Sequence, residues 1–448
     1  MRNALGRGET EPREISISIS EAIAEIDRRV HAQVNEILHA AKFRALEASW
    51  SSLEYLVAQM PVDPGIQLRV LNVKRDELLG DFEDSIEFDR TAMFQLVYEQ
   101  EFGKFGGDPY TVLVADYHFS QSGEDVELLQ GLAEVGAAAH CVVAAGASPE
   151  LLGYDHWGEF SLRGVPEEVY GGPATIPWMS FRRRDDARYV ALCMPRFLLR
   201  RPYRPDDPDR QLRLREGVPA SGDARLWGNS AYLLAERAMQ AFHRYGWCTA
   251  LRGLYDEQGV PGGLVRESAS TDAEGLVPLA PVEVRVTESQ EKGLLELGLV
   301  PLCAVSGTAT VSFFGVPSVH LPRNTDDEAV NSNLKLSAQI PYMFAASRFA
   351  HYMKVMLRDK VGAYTDADGV QRELSQWLAK YTLDDDDAPD ERKAQYPLRE
   401  YNVMVREKAG RPGELECIAQ LKPHYQIEDP GVALRLAVDL PNPEDTKR

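Results

Sequence analysis

Several residue groups have types and spacings that could carry chemistry. Asp185 and Asp186 stand beside Arg188, two carboxylates next to a cation, which suits acid–base work or a solvated loop. Asp384 to Asp387 form a run of carboxylate oxygens that could hold a divalent cation. The run lacks the glycine turn and distal glutamate of a calcium loop, so it reads as a solvated linker. Glu36 and His39 make an ExxH, half of the di-iron bundle motif, with no second ExxH on another helix. His31 and His39 are eight residues apart, about 12 Å of helical rise, too far to share one metal. His140 precedes Cys141, but adjacency in sequence is not catalytic geometry. Gly103, Gly106 and Gly107 in EFGKFGGDPY fit neither the Walker pattern nor GxGxxG and read as a tight turn before a strand. Ser148 in AAGASPE fails the GxSxG elbow. These readings assign no catalytic, cofactor-binding or metal-ligating residue, and a non-enzyme is expected.

Composition points the same way. The chain has 448 residues, 44% hydrophobic and 26% charged, with a formal charge of −20. That length allows a large core, or two or three domains. The acidic balance opposes general affinity for nucleic acid or anionic membranes. Cys141, Cys193, Cys248, Cys303 and Cys417 are scattered and odd in number, which fits a reducing compartment better than a disulfide framework. No signal peptide is visible. The richest apolar stretch, Leu132 to Ala147, is broken by Glu134 and His140 and is short of the ~20 residues that span a bilayer. A cytoplasmic protein without membrane insertion is expected.

The elements that must carry any function follow from periodicity. Residues 1–60 read as an N-terminal helical region. After a polar start, Ile15, Ile17 and Ile19 alternate like a brief strand, and Ser18 and Glu21 have capping-box spacing. Ile23, Ile26, Val30, Val34 and Ile37, then Phe43, Leu46, Trp50, Leu53 and Val57, recur at three and four residues, an apolar stripe on each of two helices. Such a stripe needs a partner, either the chain's own core or another chain.

Residues 61–395 read as a mixed α/β body. Thr111–Ala115, Tyr189–Cys193 and Val282–Val286 suit strands, and Ala231–Tyr245 suits a helix. Residues 201–224 and 256–275 read as surface loops, and 384–393 as an acidic linker. One helix is expected over 341–361, with Pro341 near its start and Gly362 just past its end. It carries Arg348, Lys354, Arg358 and Lys360 beside an apolar stripe of Phe349, Met353 and Met356. The cations suit either a salt-bridged helix or a ridge facing an acidic partner.

Residues 396–448 change character, with three expected strands at 401–406, 415–421 and 432–440. In the last, Val432, Leu434, Leu436, Val438 and Leu440 share one face. Burying five such side chains contributes about 8–15 kcal/mol. Ordering nine residues costs about 9–18 kcal/mol in backbone entropy. The terms nearly cancel, so the strand is stable only in a completed sheet, built within the chain or with a neighbour's strands.

At this point the residues become specific. LEASWSSLEYLV resembles the opening signature of type VI secretion sheath large subunits, the TssC/VipB family. The resemblance continues through EFGKFGGDPY, DARYVALCMPRFLLRRPY and LWGNSAYLLAERAMQAFHRYGWCTALRG. It is strongest at NSNLKLSAQIPYMFAASRFAHYMKVMLRDKVG, and ends with YPLREYNVMV and the LKPHYQ…VALRLAVDLP tail, spanning roughly residues 36–441. It implies a contractile tail-sheath fold: N-terminal helices, an α/β core, and a C-terminal β-strand region completed by neighbouring subunits. Heterodimers with a small sheath subunit would stack as a hexameric helical sheath around a tube of Hcp-like rings, above a baseplate. Contraction would drive tube and spike out of a bacterial cell, with no cofactor. An AAA+ ATPase of the ClpV type would recycle the sheath; the 21–39 helix would receive it, or recycling would be different or absent. By the same resemblance, Val403, Val405, Ile418, Leu421, Val432, Leu434, Leu436, Val438 and Leu440 would form the inter-subunit strand interface. Arg348, Lys354, Arg358 and Lys360 are candidates for the tube-facing helix. Ile23, Ile26, Val30, Phe43 and Trp50 are candidates for the small-subunit surface. The alternatives are a sheath of a related phage-tail-like particle, a soluble α/β enzyme, and a basic-helix adaptor for nucleic acid.

Overall fold

The computed structural model describes residues 12–85, 87–166, 169–205, 214–217, 225–253, 263–265, 280–305, 310–360, 367–385, 387–407, 415–424 and 434–439. The longest helices are α1 (Pro12–His39), α2 (Ala41–Ala58), α3 (Gly123–Ala139), α4 (Ala231–Tyr245), α5 (Ile340–Lys360) and α6 (Ala367–Ala379). The described strands are β1 (Val112–Phe119), β2 (Val142–Ala147), β3 (Val190–Met194), β4 (Phe197–Arg200), β5 (Leu226–Gly228), β6 (Gly263–Val265), β7 (Leu299–Ala304), β8 (Thr310–Phe313), β9 (Leu398–Glu407), β10 (Leu415–Pro423) and β11 (Leu434–Asp439). This is the mixed α/β architecture expected from the sequence.

The chain divides into two compact units, residues 1–51 with 198–228, and residues 52–197 with 229–448. In the first unit, Arg200 is sandwiched between carboxylates. It pairs with Glu47 of α2 and, at 2.8 Å, with Glu216, whose other oxygen lies 3.3 Å from His39. Asn35 adds two bonds to the backbone at Arg215 and Gly217. The end of α1 is thus tied to its unit by polar contacts. The strand-like alternation at Ile15–Ile19 lies within α1 instead. Ile15, Ile19 and Ile23 are also four apart, so the same residues satisfy a helical face, and Pro12 suits a first helical turn.

The second unit is built on a six-stranded sheet in the order β1-β2-β3-β7-β8-β6. β1, β2, β3 and β7 run parallel, and β7, β8 and β6 antiparallel. β2 and β3 are buried at every position, as their unbroken apolar runs VVAAGA and VALCM require of central parallel strands. Ser122 caps α3 by accepting from the Asp125 amide, and Asp125 in turn accepts from Ser120 and pairs with Arg75. Gly131 of α3 is needed because a Cβ there would sit 2.5 Å from the Phe82 ring. Two expectations change here. The stretch 256–275 contains β6, paired with β8. Val282–Val286 makes one isolated bridge, Val282 to Phe197, while Arg196 forks Glu283 at 2.6 and 2.7 Å, so side chains tie this segment where a ladder was expected. The acidic linker ends in a short helix, Asp390–Gln395.

Candidate assembly surfaces

The residues singled out for chemistry are absorbed by structure. Asp186 pairs with Arg184 at 3.0 Å, and Asp185 with Arg188 at 3.3 Å. Gly103 ends a π-helix, Gln95–Phe102, and its amide donates to the Tyr98 carbonyl. Gly107 lies where a Cβ would strike the Glu101 carbonyl, so EFGKFGGDPY is a tight turn ahead of β1. His140 ends α3 in a left-handed conformation, with Nδ1 3.0 Å from the Tyr189 hydroxyl. Burial, aided by the Lys354 charge, holds its pKa down at about 4. Burial raises the Cys141 thiol, which removes the thiolate that chemistry would need. Among the described residues no group of three or more His, Cys, Asp or Glu could hold a metal. No helix among them is long and apolar enough to cross a membrane.

Three surfaces remain. The first is the apolar stripe of the N-terminal helices, and within its unit it stays open. Ile26 is 60% exposed and Trp50 64%; Ile23, Val30 and Phe43 are also exposed. The helices hold their apolar side chains outward, which in a single chain is a cost rather than a core.

The second surface is α5. Its inner face is core: Phe349 and Met353 are fully buried, and Phe349 stacks on Trp247 with centroids 4.4 Å apart. The cations are half-buried and cover aromatic rings of their own unit. Arg348 lies over Tyr352, Lys354 over Phe102 at 3.4 Å, and Arg358 over Phe105 at 5.1 Å while donating to the Lys104 carbonyl. Burial, then the Arg358 charge, lowers the Lys354 ammonium to about 8. These three therefore do not form a free cationic ridge. The Lys360 side chain lies outside the described residues. Tyr352 and Val355 are the partly exposed apolar positions between the cations.

The third surface is the C-terminal sheet, antiparallel in the order β11-β10-β9. Val403, Val405, Cys417, Ala419 and Leu421 pack inward against α5 and α6. The side chains of Val403, Val405 and Leu421 thus belong to the chain's own core. Ile418 lies on the opposite face, where Met404 is exposed between a Glu416–Arg406 pair at 2.6 Å and a Lys422–Glu400 pair at 3.3 Å. β11 pairs with β10 in register, Leu434 opposite Leu421, Leu436 opposite Ala419 and Val438 opposite Cys417. The expected completion of the sheet is thus met in part within the chain. Val432 and Leu440 lie outside the described residues. At the other edge, β9 bridges Thr382 at Leu398, and the Val405 amide donates to Gln371 of α6. An inter-subunit role for this sheet would therefore run through backbone edges.

Sequence reasoning passed over residues 66–73, IQLRVLNV. They run without helix, strand, turn or bend and are largely exposed. The alternation of Ile66, Leu68 and Val70 was the available signal.

The chain matches the family model described as EvpB/VC_A0108, tail sheath N-terminal domain, over residues 20–320. It matches the EvpB/VC_A0108 tail sheath gpW/gp25-like domain over residues 329–440. It is 38% identical over 435 residues to the type VI secretion system sheath protein TssC1 of Pseudomonas aeruginosa, covering 96% of this chain and 87% of that protein. Among solved structures it is similar to a chain of the anti-feeding prophage baseplate, with a TM-score of 0.38 and 13% identity over 84% of this chain and 83% of that one. A chain of the contracted anti-feeding prophage sheath gives a TM-score of 0.32 and 14% identity, over 67% and 64%.

Proposed function

Because the chain belongs to the EvpB/VC_A0108 tail sheath family, the TssC/VipB large subunits of type VI secretion sheaths, we propose that it pairs with a small sheath subunit and polymerises around an Hcp-like tube. Contraction of that sheath expels tube and spike from the bacterial cytoplasm. Residues 1–60 then bind the small subunit, 61–395 form the body, and 396–448 link neighbouring subunits. The baseplate starts assembly, and a ClpV-type AAA+ ATPase recycles the contracted form. The protein itself performs no catalysis and needs no cofactor.

The observation that carries this reading is the open apolar stripe through Ile23, Ile26, Val30, Phe43 and Trp50. Each side chain is already part-covered, so a partner gains about 1 kcal/mol from each, half of a full burial. Five such contacts contribute about 5 kcal/mol, which does not by itself offset the cost of association, so a stable heterodimer needs further contacts beside the stripe. The C-terminal sheet supports the linking role through its backbone edge at β11, because backbone pairing tolerates any side chain and sums over many bonds. On the tube side, α5 offers Tyr352 and Val355 between cations already seated on rings. Ion pairs there contribute about 0–1 kcal/mol each, weak enough for a widening sheath to release its tube.

The test is electron microscopy of the chain co-expressed with its small-subunit candidate. Hollow, helically ridged tubes are expected. A monodisperse soluble particle would overturn the sheath assignment and return attention to an α/β enzyme.

A further inference from the structure

From Gln67 to Val73 the chain runs without helix, turn or bend, and no backbone–backbone hydrogen bond joins these residues to any described residue. The Val73 carbonyl accepts from the Tyr117 hydroxyl, and the other carbonyls and amides in the run have no hydrogen-bond partner among the described residues. The segment is nevertheless held in place. Arg69 pairs with Glu101, lies 3.3 Å from the Tyr110 hydroxyl and sits over the Tyr110 ring. Val73 packs on the edge of the main core. Between these anchors Val70 is 65% exposed and Leu71 54%. An ordinary loop is polar and takes turn residues. This one has β-branched and apolar residues, no turn, and a free ladder edge, which is the description of a strand without its neighbour.

We propose that residues 67–73 form a docking strand that pairs, backbone to backbone, with an extended segment of the small sheath subunit. The inference rests on the heterodimer reading above and specifies part of its contact. A second copy of this chain does not suit the site. The same segment from a second copy would pair about a two-fold axis and close a dimer, which leaves no polar repeat to grow a sheath. A different part of a second copy would have to offer a strand edge, and the open edge at β11 is assigned above to the link between neighbouring subunits. The exposed apolar residues beyond Leu71 include Leu96, Leu162, Ile176, Phe314 and Met404, which lie on separate elements. Within the same unit the segment follows the end of α2, where Val57 is exposed, ten residues before Gln67, so a partner seated on that end is close in the chain to the strand. A distinct polypeptide with an extended, apolar-alternating segment is the occupant that fits.

Amide hydrogen exchange, measured by mass spectrometry on the full chain alone and on the purified heterodimer, tests this. Amides of 67–73 should exchange as unstructured chain in the first sample and slow by about a hundredfold or more in the second. Protection of α1 and α2 with 67–73 still fast would overturn the strand pairing and leave the heterodimer standing. Protection of 67–73 in the chain alone that grows with its concentration would overturn the choice of partner. Absence of any heterodimer would overturn both readings. Val70→Pro removes a ladder donor, so pairing should weaken by about tenfold or more. Val70→Thr keeps the backbone and should weaken it far less. Equal loss in the two variants would mean that side-chain packing, not backbone pairing, is what the partner reads.

Discussion

Buried imidazoles and seated cations dominate the chemistry of individual residues, and each makes the fold respond to protons or charge. His140 is held at about 4, mainly by burial, below its usual 6.5. Between these values the unfolded chain binds the proton and the folded chain does not, so stability falls as pH falls through that window and is unaffected above it. His118 and His351 are lowered to about 4 and about 3 by the same cause and add to the slope. His140→Asn keeps a residue that tolerates the left-handed conformation. It should flatten the pH dependence of the urea midpoint between pH 6 and 4 by about one proton, roughly 1.4 kcal/mol per pH unit. Lys354 gives a second expectation. Its ammonium covers the Phe102 ring, so Lys354→Glu places a carboxylate against the negative face of that ring. The isolated chain should lose about 1 kcal/mol or more of stability. Unchanged melting together with lost assembly around the tube would instead mean that the cation is free to face the tube.

Within the elements, core and interface are separated by face. Leu421 is fully buried beneath β10, against α5 and α6. Leu421→Ala should cost about 2–5 kcal/mol in the chain alone, read as a lower denaturant midpoint. Ile26 and Val30 stand on the open side of α1. Replacing both by Ser should leave that midpoint unchanged and weaken small-subunit pairing by about tenfold or more, measured by titration. Lowered stability in the second variant would place the stripe in the chain's own core. The contrast depends on a feature that periodicity does not carry. The 3-and-4 spacing of α1 and the alternation of β9 and β10 both announce an apolar face, and neither says whose surface covers it.

At the scale of the whole molecule, the charge of −20 accompanies a family whose members polymerise as sheaths. Like-charged copies repel across roughly a Debye length, about 10 Å at 0.1 M salt. Sheath growth from the co-expressed subunits should therefore be faster at 0.5 M than at 0.05 M salt, followed by light scattering. Slower growth at high salt would indicate that attraction between opposite charges on the two subunits drives assembly.

Local patterning alone determined the mixed α/β class, α4 and α5 to within a residue or two, and the three C-terminal strands. Caps, prolines, glycines and apolar periodicity act within a few residues of themselves, so they are written in the chain. The family was legible in the same way, from blocks such as RFAHYMKVMLRDKVG. Tertiary structure decided the rest. It placed Val403, Val405 and Leu421 under α5 and α6, and it seated Lys354 and Arg358 on rings that lie some 250 residues away in sequence. It put β6 into a stretch that reads as loop, because β8 was there to pair with it. It also left 67–73 without a ladder among the described residues. Burial, ring contacts and strand pairing are set by which distant segments meet, and one segment's residue types do not contain that information.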